Sequence, residues 1–316
     1  MSDILQVGTL SAKAGEKVQG FFSVEGTPVK MPVTLINGMS EGKTVLITGG
    51  THGGEYPGVE TSIRLAAQLQ PEEVSGQVIV IHPVNVPAFF ARLQYVGPYD
   101  GLNLNREYPG KATGSVTQRI AYAISSQLFT QADLYLDLHG GDLHEDLEPF
   151  VIYSVLGSDE VNEFSQGAAK ATGIKYVCKS VSDNGTFGSA AKMGVPGFLA
   201  EIGGSGLWCE AEVVRYVDAI KNVLRFAGVL PGEAQEYPDA VVSDGMAGLE
   251  AGFTGCWYPC VKKNEMVKKG DKVGEIRDFF GKVLEEYTAP ESGVTLFVVS
   301  SLAIEKGDPI YALAKV

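Results

Sequence analysis

A histidine and a glutamate three residues apart, His52 and Glu55, stand just after an apolar run and are separated by two glycines. The run, residues 44–48, predicts a buried strand, and Pro57 predicts the first turn of a helix, where proline is tolerated. Both side chains should therefore lie at the carboxyl end of a strand, where open α/β sheets bind ligands. Imidazole and carboxylate are good zinc ligands. The same spacing also occurs by chance on solvated faces, so the metal assignment depends on the rest of the chain.

A second apolar strand ends at His139, and paired glycines follow it as well. This repeated layout predicts that His139 projects from the same edge of the sheet as His52 and Glu55. The three residues would give zinc two nitrogens and one oxygen and leave a fourth position for water, as catalytic zinc sites do. Nickel, cobalt or manganese would also fit this ligand set. Asp137 is placed to orient a ligand by accepting a hydrogen bond, and a plain buried carboxylate is the alternative.

Two further stretches carry groups suited to an anionic amide substrate. In the glycine-rich segment 100–110, Arg106 presents a fork of donors that matches a carboxylate, and Asn105 adds an amide beside it. Arg92 is a further cation earlier in the same loop. Glu201 ends an apolar strand before paired glycines, where it could take a proton from water and pass it to a leaving amine. A surface arginine and a salt-bridged or capping glutamate are the alternatives.

The elements that must position these residues alternate between strands and helices. Further strands are predicted at 77–83, 133–139, 150–155 and 196–201, and helices at 57–70, 115–131, 160–172 and 210–226. This alternation predicts an α/β fold with a mixed, mainly parallel sheet and helices on both faces. Residues 86–110 are predicted to form a long loop, a kind of segment that is often functional.

Composition changes after residue 232, where only short strands and turns are indicated. We therefore expect a catalytic domain at residues 1–232 and a small all-β domain at 241–316. The segments 267–276 and 289–293 resemble half of a biotinyl/lipoyl-type barrel. The hairpin tip, residues 277–281, lacks the lysine that such carriers modify, so we expect a structural or gating role for this domain.

Charge and composition exclude several classes of function. The chain has 316 residues and a formal net charge of −13, whereas nucleic-acid binding requires a basic face. No signal peptide and no apolar run long enough to span a membrane are visible. The four cysteines do not form a disulfide framework, so we expect free thiols in the cytoplasm. The oligomeric state stays open, a homo-oligomer included.

Four segments together resemble the zinc carboxypeptidase superfamily and, more narrowly, the succinylglutamate desuccinylase/aspartoacylase family. They are Gly-Gly-Thr-His-Gly-Gly-Glu at 49–55, Asp-Gly-Leu-Asn-Leu-Asn-Arg-Glu-Tyr-Pro-Gly at 100–110, Asp-Leu-His-Gly-Gly at 137–141 and Glu-Ile-Gly-Gly at 201–204. The resemblance covers roughly residues 40–230, and the segments stand in the order typical of the family.

The resemblance implies an eight-stranded mixed sheet and a role for each conspicuous residue. These roles are one zinc ion held by His52, Glu55 and His139, a substrate carboxylate bound by Asn105 and Arg106, and Glu201 as general base. Family members also carry an arginine shortly before the Asp-Gly pair that stabilises the oxyanion, and Arg92 is the candidate for it, with Gln94 nearby. The segment 184–188 is similar to a loop of bacterial members and is expected to line the pocket.

We therefore expect a zinc-dependent hydrolase that cleaves the amide bond of a small, anionic N-acyl amino acid. Acetyl-diaminobutyrate, acetyl-aspartate and succinyl-glutamate all remain open as substrates. One alternative is a metallocarboxypeptidase acting on peptides, which a small β-domain over the cleft would disfavour. The other is a catalytically inactive binding module, which the complete set of ligands and base disfavours.

Overall fold

The computed structural model describes residues 4–316. Its strands in chain order are β1 (Ile4–Val7), β2 (Leu10–Lys13), β3 (Glu16–Ser23), β4 (Lys30–Asn37), β5 (Ser40–Gly49), β6 (Ser75–Ile81), β7 (Leu134–His139), β8 (Glu145–Leu147), β9 (Phe150–Ser154), β10 (Tyr176–Ser180), β11 (Gly197–Glu201), β12 (Val241–Ser243), β13 (Met246–Glu250), β14 (Gly255–Pro259), β15 (Met266–Val267), β16 (Lys272–Arg277), β17 (Val283–Thr288), β18 (Gly293–Val299), β19 (Ala303–Ile304) and β20 (Pro309–Lys315). Its α-helices are α1 (Tyr56–Gln68), α2 (Val86–Ala91), α3 (Val116–Gln127), α4 (Asp159–Lys170), α5 (Thr186–Lys192) and α6 (Glu210–Phe226).

A mixed sheet of nine strands, in the order β12-β10-β9-β11-β7-β5-β6-β4-β3, forms the centre of the molecule. Five neighbouring pairs, from β12 to β10, β10 to β9, β11 to β7, β7 to β5 and β5 to β6, are parallel. The other three pairs are antiparallel. The predicted fold class is thus confirmed. The sheet has one strand more than expected, and the count of nine includes the short edge strand β12, which comes from beyond residue 232.

Helices cover both faces of this sheet, which explains why its middle strands are buried and mainly apolar. Every residue of β7 is buried. On one face, α1, α4 and α6 pack over a core that includes Leu65, Ala168 and Ile220. On the other, α3 and the β1–β2 hairpin enclose a second core. Strands covered on both sides are mainly apolar, and a polar residue that they bury, such as Asp137, needs hydrogen-bond partners.

The described residues depart from the predicted elements mainly around the site. The segment expected to be one long loop contains α2 and a single 3₁₀ turn, Leu104–Arg106. The side chain of Asn85 caps α2 by accepting a hydrogen bond from the backbone of Ala88. Strand β10 and helix α5 were not predicted, because both are short and α5 is rich in small residues. Local capping and packing, and not periodicity, thus define these elements.

The C-terminal residues form two further sheets, as expected for an all-β unit. One has the order β13-β20-β18-β15, with β8 also paired to β18, and the other has the order β17-β16-β14-β19. The β8 strand comes from the catalytic part of the chain, so the two units share a sheet. None of the described helices is long and apolar enough to cross a membrane.

Candidate metal centre and substrate cavity

His52, Glu55 and His139 meet at the carboxyl ends of two neighbouring parallel strands, β5 and β7. One ligand atom of each lies within 4.8 Å of the others, and all three residues are buried. His52 Nδ1 is 2.6 Å from Glu55 Oε1, and His139 Nδ1 is 2.8 Å from Glu55 Oε2. A Cβ at Gly53 would lie 2.3 Å from the backbone of Ala88, so the loop between the first two ligands needs glycine there.

The outer nitrogen of each imidazole is held by an oxygen acceptor. His139 Nε2 lies 3.0 Å from Asp137 Oδ2, and His52 Nε2 lies 3.0 Å from Asn103 Oδ1. Both acceptors favour a proton on Nε2, which leaves the Nδ1 lone pairs for a metal ion. The hydrogen bond expected between Asp137 and a ligand is thus present. Asn103 was not singled out from the sequence, although it lies within the motif at 100–110.

Asp137 is itself fixed by hydroxyl groups from three different segments. Thr48 and Thr51 donate to its Oδ1 at 2.8 Å and 3.2 Å, and Thr186 donates to its Oδ2 at 2.5 Å. A fully buried carboxylate with this many donors is held in one orientation. His139 therefore receives its position from a network that spans β5, β7 and the start of α5.

Burial disfavours the charged forms of Glu55 and His139. The contacts that each residue makes with its neighbours decide whether its pKa rises or falls. Burial works to raise the pKa of Glu55, but the two neighbouring imidazoles outweigh it and lower that pKa to about 2. Burial likewise works to lower the pKa of His139, but Glu55 and Asp137 raise it well above its usual value. Such a cluster of carboxylates and imidazoles in a low-dielectric setting favours a bound cation.

Glu201 stands beside the cluster because β11 runs parallel to β7, and their register pairs Glu201 with His139. Its Oε2 is buried and has no hydrogen-bond partner. Burial, reinforced by the nearby charge of Glu55, raises the pKa of Glu201 well above its usual value. A buried carboxyl oxygen with no partner is costly in a folded protein, so this atom is available for a ligand.

These groups line one cavity of about 400 Å³, to which both units of the chain contribute. The catalytic part supplies the three clustered residues, Glu201 and an apolar wall that includes Phe187, in the segment expected to line the pocket. The C-terminal sheets supply Met246, Phe297 and Pro309. The β-unit therefore closes one side of the cavity, as a gating role requires.

Asn105 and Arg106 line the same cavity, but Arg92 does not. The Oδ1 of Asn105 accepts a hydrogen bond from the backbone of Thr186 at 2.9 Å, which leaves its Nδ2 as the donor for a ligand. Arg106 is exposed at the rim. Arg92 terminates α2 with a positive φ of 53° and is exposed away from the cavity lining. The chain turns at this residue, and a part for Arg92 in the reaction stays a prediction.

Tyr95 and Glu145 also line the cavity and were not foreseen. The hydroxyl of Tyr95 donates to the carboxylate of Glu145, and the Tyr95 ring packs edge-on against His52 at 5.6 Å between centroids. No motif marks these residues. Tyr95 stands next to Gln94 in the sequence without a pattern that indicates a function. Glu145 lies in an acidic loop of a kind typical of solvated surfaces. Only the pairing of β8 with β18 brings Glu145 inward.

Comparisons with known proteins agree with this geometry. The model of the succinylglutamate desuccinylase/aspartoacylase catalytic domain matches residues 41–227. N-α-acetyl-L-2,4-diaminobutyric acid deacetylase from Halomonas elongata is 32% identical over 298 residues, which make up 91% of this chain and 86% of that protein. The chain belongs to the succinylglutamate desuccinylase/aspartoacylase family. It is therefore an amidohydrolase of linear amides, as the four motifs predicted.

Two solved structures of this family extend the agreement to the whole chain. The product-bound ectoine utilization protein EutE (DoeB) from Ruegeria pomeroyi has a TM-score of 0.88 at 27% identity and covers 100% of this chain and 99% of its own. A succinylglutamate desuccinylase/aspartoacylase from Rhodobacter sphaeroides has a TM-score of 0.81 at 28% identity, with 94% of each chain covered. The family fold therefore includes the C-terminal sheets.

Proposed function

We propose that the protein is a zinc-dependent deacylase of small N-acetylated amino acids, with N-α-acetyl-2,4-diaminobutyrate as the first substrate to test. The observation that carries this proposal is the position of the unpartnered Glu201 Oε2 in the same cavity as the His52, Glu55 and His139 cluster. The choice of substrate rests on the similarity to the Halomonas elongata deacetylase.

The donor set of the cluster fits a zinc ion. Two imidazole nitrogens and a carboxylate are the protein ligands of several catalytic zinc sites. Both imidazoles have their outer nitrogens anchored, on Asn103 and Asp137, which supports coordination through Nδ1. When bound, zinc supplies Lewis-acid chemistry that polarises a carbonyl and makes water nucleophilic near neutral pH.

The side chains of this protein then have separate tasks in amide hydrolysis. The free Oε2 of Glu201 accepts a proton from the attacking water and returns it to the amide nitrogen as the amine leaves. Burial raises the pKa of Glu201, which makes its carboxylate a better acceptor for the proton of the attacking water. The apolar wall around Phe187 excludes bulk water from the exchange.

Arg106 and Asn105 bind the α-carboxylate of the substrate. The guanidinium of Arg106 lies at the rim, and its Nη1 donates to the backbone carbonyl of Asn105 at 2.9 Å, which orients the fork. The Nδ2 of Asn105 adds a neutral donor deeper in the cavity. In a chain with a net charge of −13, this local cation attracts the substrate's carboxylate against the field of the whole protein.

We also propose that residues 1–232 are the catalytic domain and that residues 241–316 limit the size of the substrate. Met246, Phe297 and Pro309 narrow the cavity from the β-unit, which favours small substrates over the peptides that a metallocarboxypeptidase would accept. All four cysteines are free, which supports a reducing, cytoplasmic location.

The variant Glu201→Gln tests the proposal. It keeps the size of the side chain but removes the proton acceptor, so kcat should fall about 10²- to 10⁴-fold. The zinc content should stay near one ion per chain, since Glu201 is not a ligand. Glu72→Gln, at an exposed site away from the cavity, is the matched control. Full activity of Glu201→Gln on acetylated amino acids would rule out the assigned base.

A panel of substrates separates the proposal from peptide hydrolysis. The zinc-loaded protein should hydrolyse N-α-acetyl-2,4-diaminobutyrate faster than peptides with the same C-terminal residue, because the C-terminal sheets restrict the cavity. A preference for peptides would instead support a metallocarboxypeptidase. Removal of the metal with a chelator should abolish hydrolysis, and added zinc should restore it.

A further inference from the structure

Glu145 places a half-buried carboxyl group in the cavity wall without a positively charged partner. Its Oε1 accepts a hydrogen bond from the hydroxyl of Tyr95, and its Oε2 accepts one from the backbone of Asp142 at 3.0 Å. Among residues 4–316, no lysine, arginine or histidine forms an ion pair with it. Each carboxylate oxygen can accept a second hydrogen bond, so Glu145 retains acceptor capacity toward the cavity.

The position of Glu145 is fixed by its neighbours. Tyr95 adopts a left-handed backbone conformation, with φ of 56°, which is costly for a residue with a side chain. The buried Asp142 holds this conformation by accepting a hydrogen bond from the Tyr95 backbone at 2.9 Å. The backbone of Glu145 is paired with Val299 of β18. The carboxylate of Glu145 is thus restrained from both sides and has a fixed position in the cavity wall.

The cavity therefore carries opposite charges on different parts of its lining. Arg106 is a cation without an acidic partner among the described residues, and Glu145 is an acidic group without a basic one. Burial, together with the charges of Glu55 and Asp142, raises the pKa of Glu145 to about 7. A cation bound beside this carboxyl group is favoured because it stabilises the ionised form. A ligand that carries both a carboxylate and an ammonium group would pair with Arg106 and Glu145 at the same time.

We propose that Glu145, positioned by Tyr95, binds the side-chain ammonium group of an N-α-acylated diamino acid. This inference rests on the proposed function and names the residue that selects the substrate. The α-carboxylate lies toward Arg106, and the ammonium group donates to the free acceptor sites of Glu145. A substrate with an acidic side chain, such as an acylated aspartate or glutamate, meets like charge at this position and is rejected.

The selectivity of the unaltered protein provides the first test. N-α-acetylnorvaline has the same chain length as N-α-acetyl-2,4-diaminobutyrate but carries a methyl group in place of the ammonium group. The zinc-loaded protein should show a kcat/KM at least about 10-fold higher for the charged substrate, since a buried charge-assisted hydrogen bond is lost with the neutral one. Equal values for the two substrates would overturn the inference.

The variant Glu145→Gln should reduce this selectivity ratio at least about 10-fold. Glu148→Gln, three residues along the chain and outside the cavity lining, should leave the ratio unchanged. Tyr95→Phe removes the hydroxyl that positions Glu145 and should reduce the ratio by a smaller factor. A ratio in Glu145→Gln equal to that of the unaltered protein would overturn the role of Glu145 and leave the deacylase function intact.

Hydrolysis of neither acetylated substrate would contradict the proposed function. In that event, calorimetric measurement of binding still tests the inference about Glu145. In that case, 2,4-diaminobutyrate and norvaline are titrated into the zinc-loaded protein. Tighter binding of the diamino acid, lost in Glu145→Gln, would support the cation site independently of catalysis. Absence of any preference between the two amino acids would overturn it.

Discussion

The buried carboxylate of Asp137 holds the outer nitrogen of His139. Asp137 accepts four hydrogen bonds, from His139 and from the hydroxyl groups of Thr48, Thr51 and Thr186. The imidazole is therefore held in one tautomer and one rotamer, as the proposed metal site requires. Partners of this kind commonly contribute a factor of about 10 to 100 in metal affinity.

We predict that Asp137→Asn weakens zinc binding about 10- to 100-fold, because the amide is a weaker acceptor and provides no negative charge. Competition with a zinc-binding dye measures the change. Asp239→Asn, at an exposed position, should bind zinc as tightly as the unaltered protein. Unchanged affinity in Asp137→Asn would show that the network positions His139 without contributing to metal binding.

Glu145 should make the stability of the metal-free protein depend on pH. Its pKa is raised from the ordinary value of 4.5 to about 7, chiefly by burial. The charged groups that face it are Glu55 and Asp142, with Glu201 also nearby, and the hydroxyl of Tyr95 partly offsets their effect. The folded state thus binds the proton more tightly than the unfolded chain, so this contribution is complete below pH 4.5 and is lost as the pH rises through 7.

We therefore predict that Glu145→Gln flattens the pH profile of unfolding between about pH 4.5 and 7. The difference between the two proteins across this window should be on the order of 3 kcal/mol. Urea unfolding at pH 5 and pH 8 without metal measures it, with Glu148→Gln as the control. Parallel profiles for Glu145→Gln and the unaltered protein would contradict the raised pKa.

The two histidines and the general base that the sequence predicted lie at the ends of strands. His52, His139 and Glu201 each stand at or just after the end of an apolar strand, where parallel pairing alone brings them together. Tyr95 and Glu145 could not be predicted in this way, because their positions depend on a left-handed turn and on a long-range strand pair. Arg92 shows the same limit. The turn that directs it away from the cavity cannot be recognised from the spacing of residues along the sequence.

Among the elements, the short helix α5 links the metal centre to the substrate-binding loop. Thr186 at its start donates its hydroxyl to Asp137 and its backbone N–H to Asn105. Helix periodicity predicted α1, α4 and α6 closely, because each has a continuous apolar face. It missed α5, whose seven residues are too few to show a period and are buried on nearly every side.

Strand β18 supplies the part of the wall that we propose limits substrate size. Phe297 lines the cavity from this strand and lies opposite Leu147 of β8 in the register. We predict that Phe297→Ala raises kcat/KM for butyryl substrates relative to acetyl ones about 10-fold, since pocket contacts of this size discriminate to that extent. Phe279→Ala, on the exposed hairpin tip at 89% exposure, should leave the ratio unchanged.

An unaltered ratio in Phe297→Ala would contradict the proposal that the β-unit limits the acyl group. Loss of activity toward both substrates would indicate that the ring supports the fold of the wall. The melting temperature of the variant distinguishes these results, because a support role lowers it and a role in selectivity leaves it nearly unchanged.

At the scale of the whole molecule, the two units share a hydrophobic core. The catalytic part contributes four side chains to it and the C-terminal sheets three, namely Leu147, Phe150, Tyr176 and Cys178 with Val294, Leu296 and Ala314. The change in composition after residue 232 revealed the β-unit, but no local pattern could reveal this shared core. Its residues are far apart in sequence and meet only when β8 joins the C-terminal sheet.

We predict from the shared core that the protein unfolds in one cooperative transition. Leu296 is fully buried, so Leu296→Ala should lower the free energy of unfolding by about 2 to 5 kcal/mol. Leu302→Ala, at 57% exposure, is the matched control and should change it by less than about 0.5 kcal/mol. Within residues 4–316, all six α-helices lie between Tyr56 and Phe226, so circular dichroism at 222 nm reports mainly on the catalytic part.

Trp257 is buried in the β-unit, and Trp208 is the other tryptophan of the chain. In a Trp208→Phe background, fluorescence therefore follows the β-unit alone. The helical signal and the Trp257 signal should change at the same denaturant concentration, and Leu296→Ala should shift both midpoints equally. Separate midpoints, or a shift confined to Trp257, would show that the β-unit folds on its own and that the shared core contributes little to the stability of the catalytic sheet.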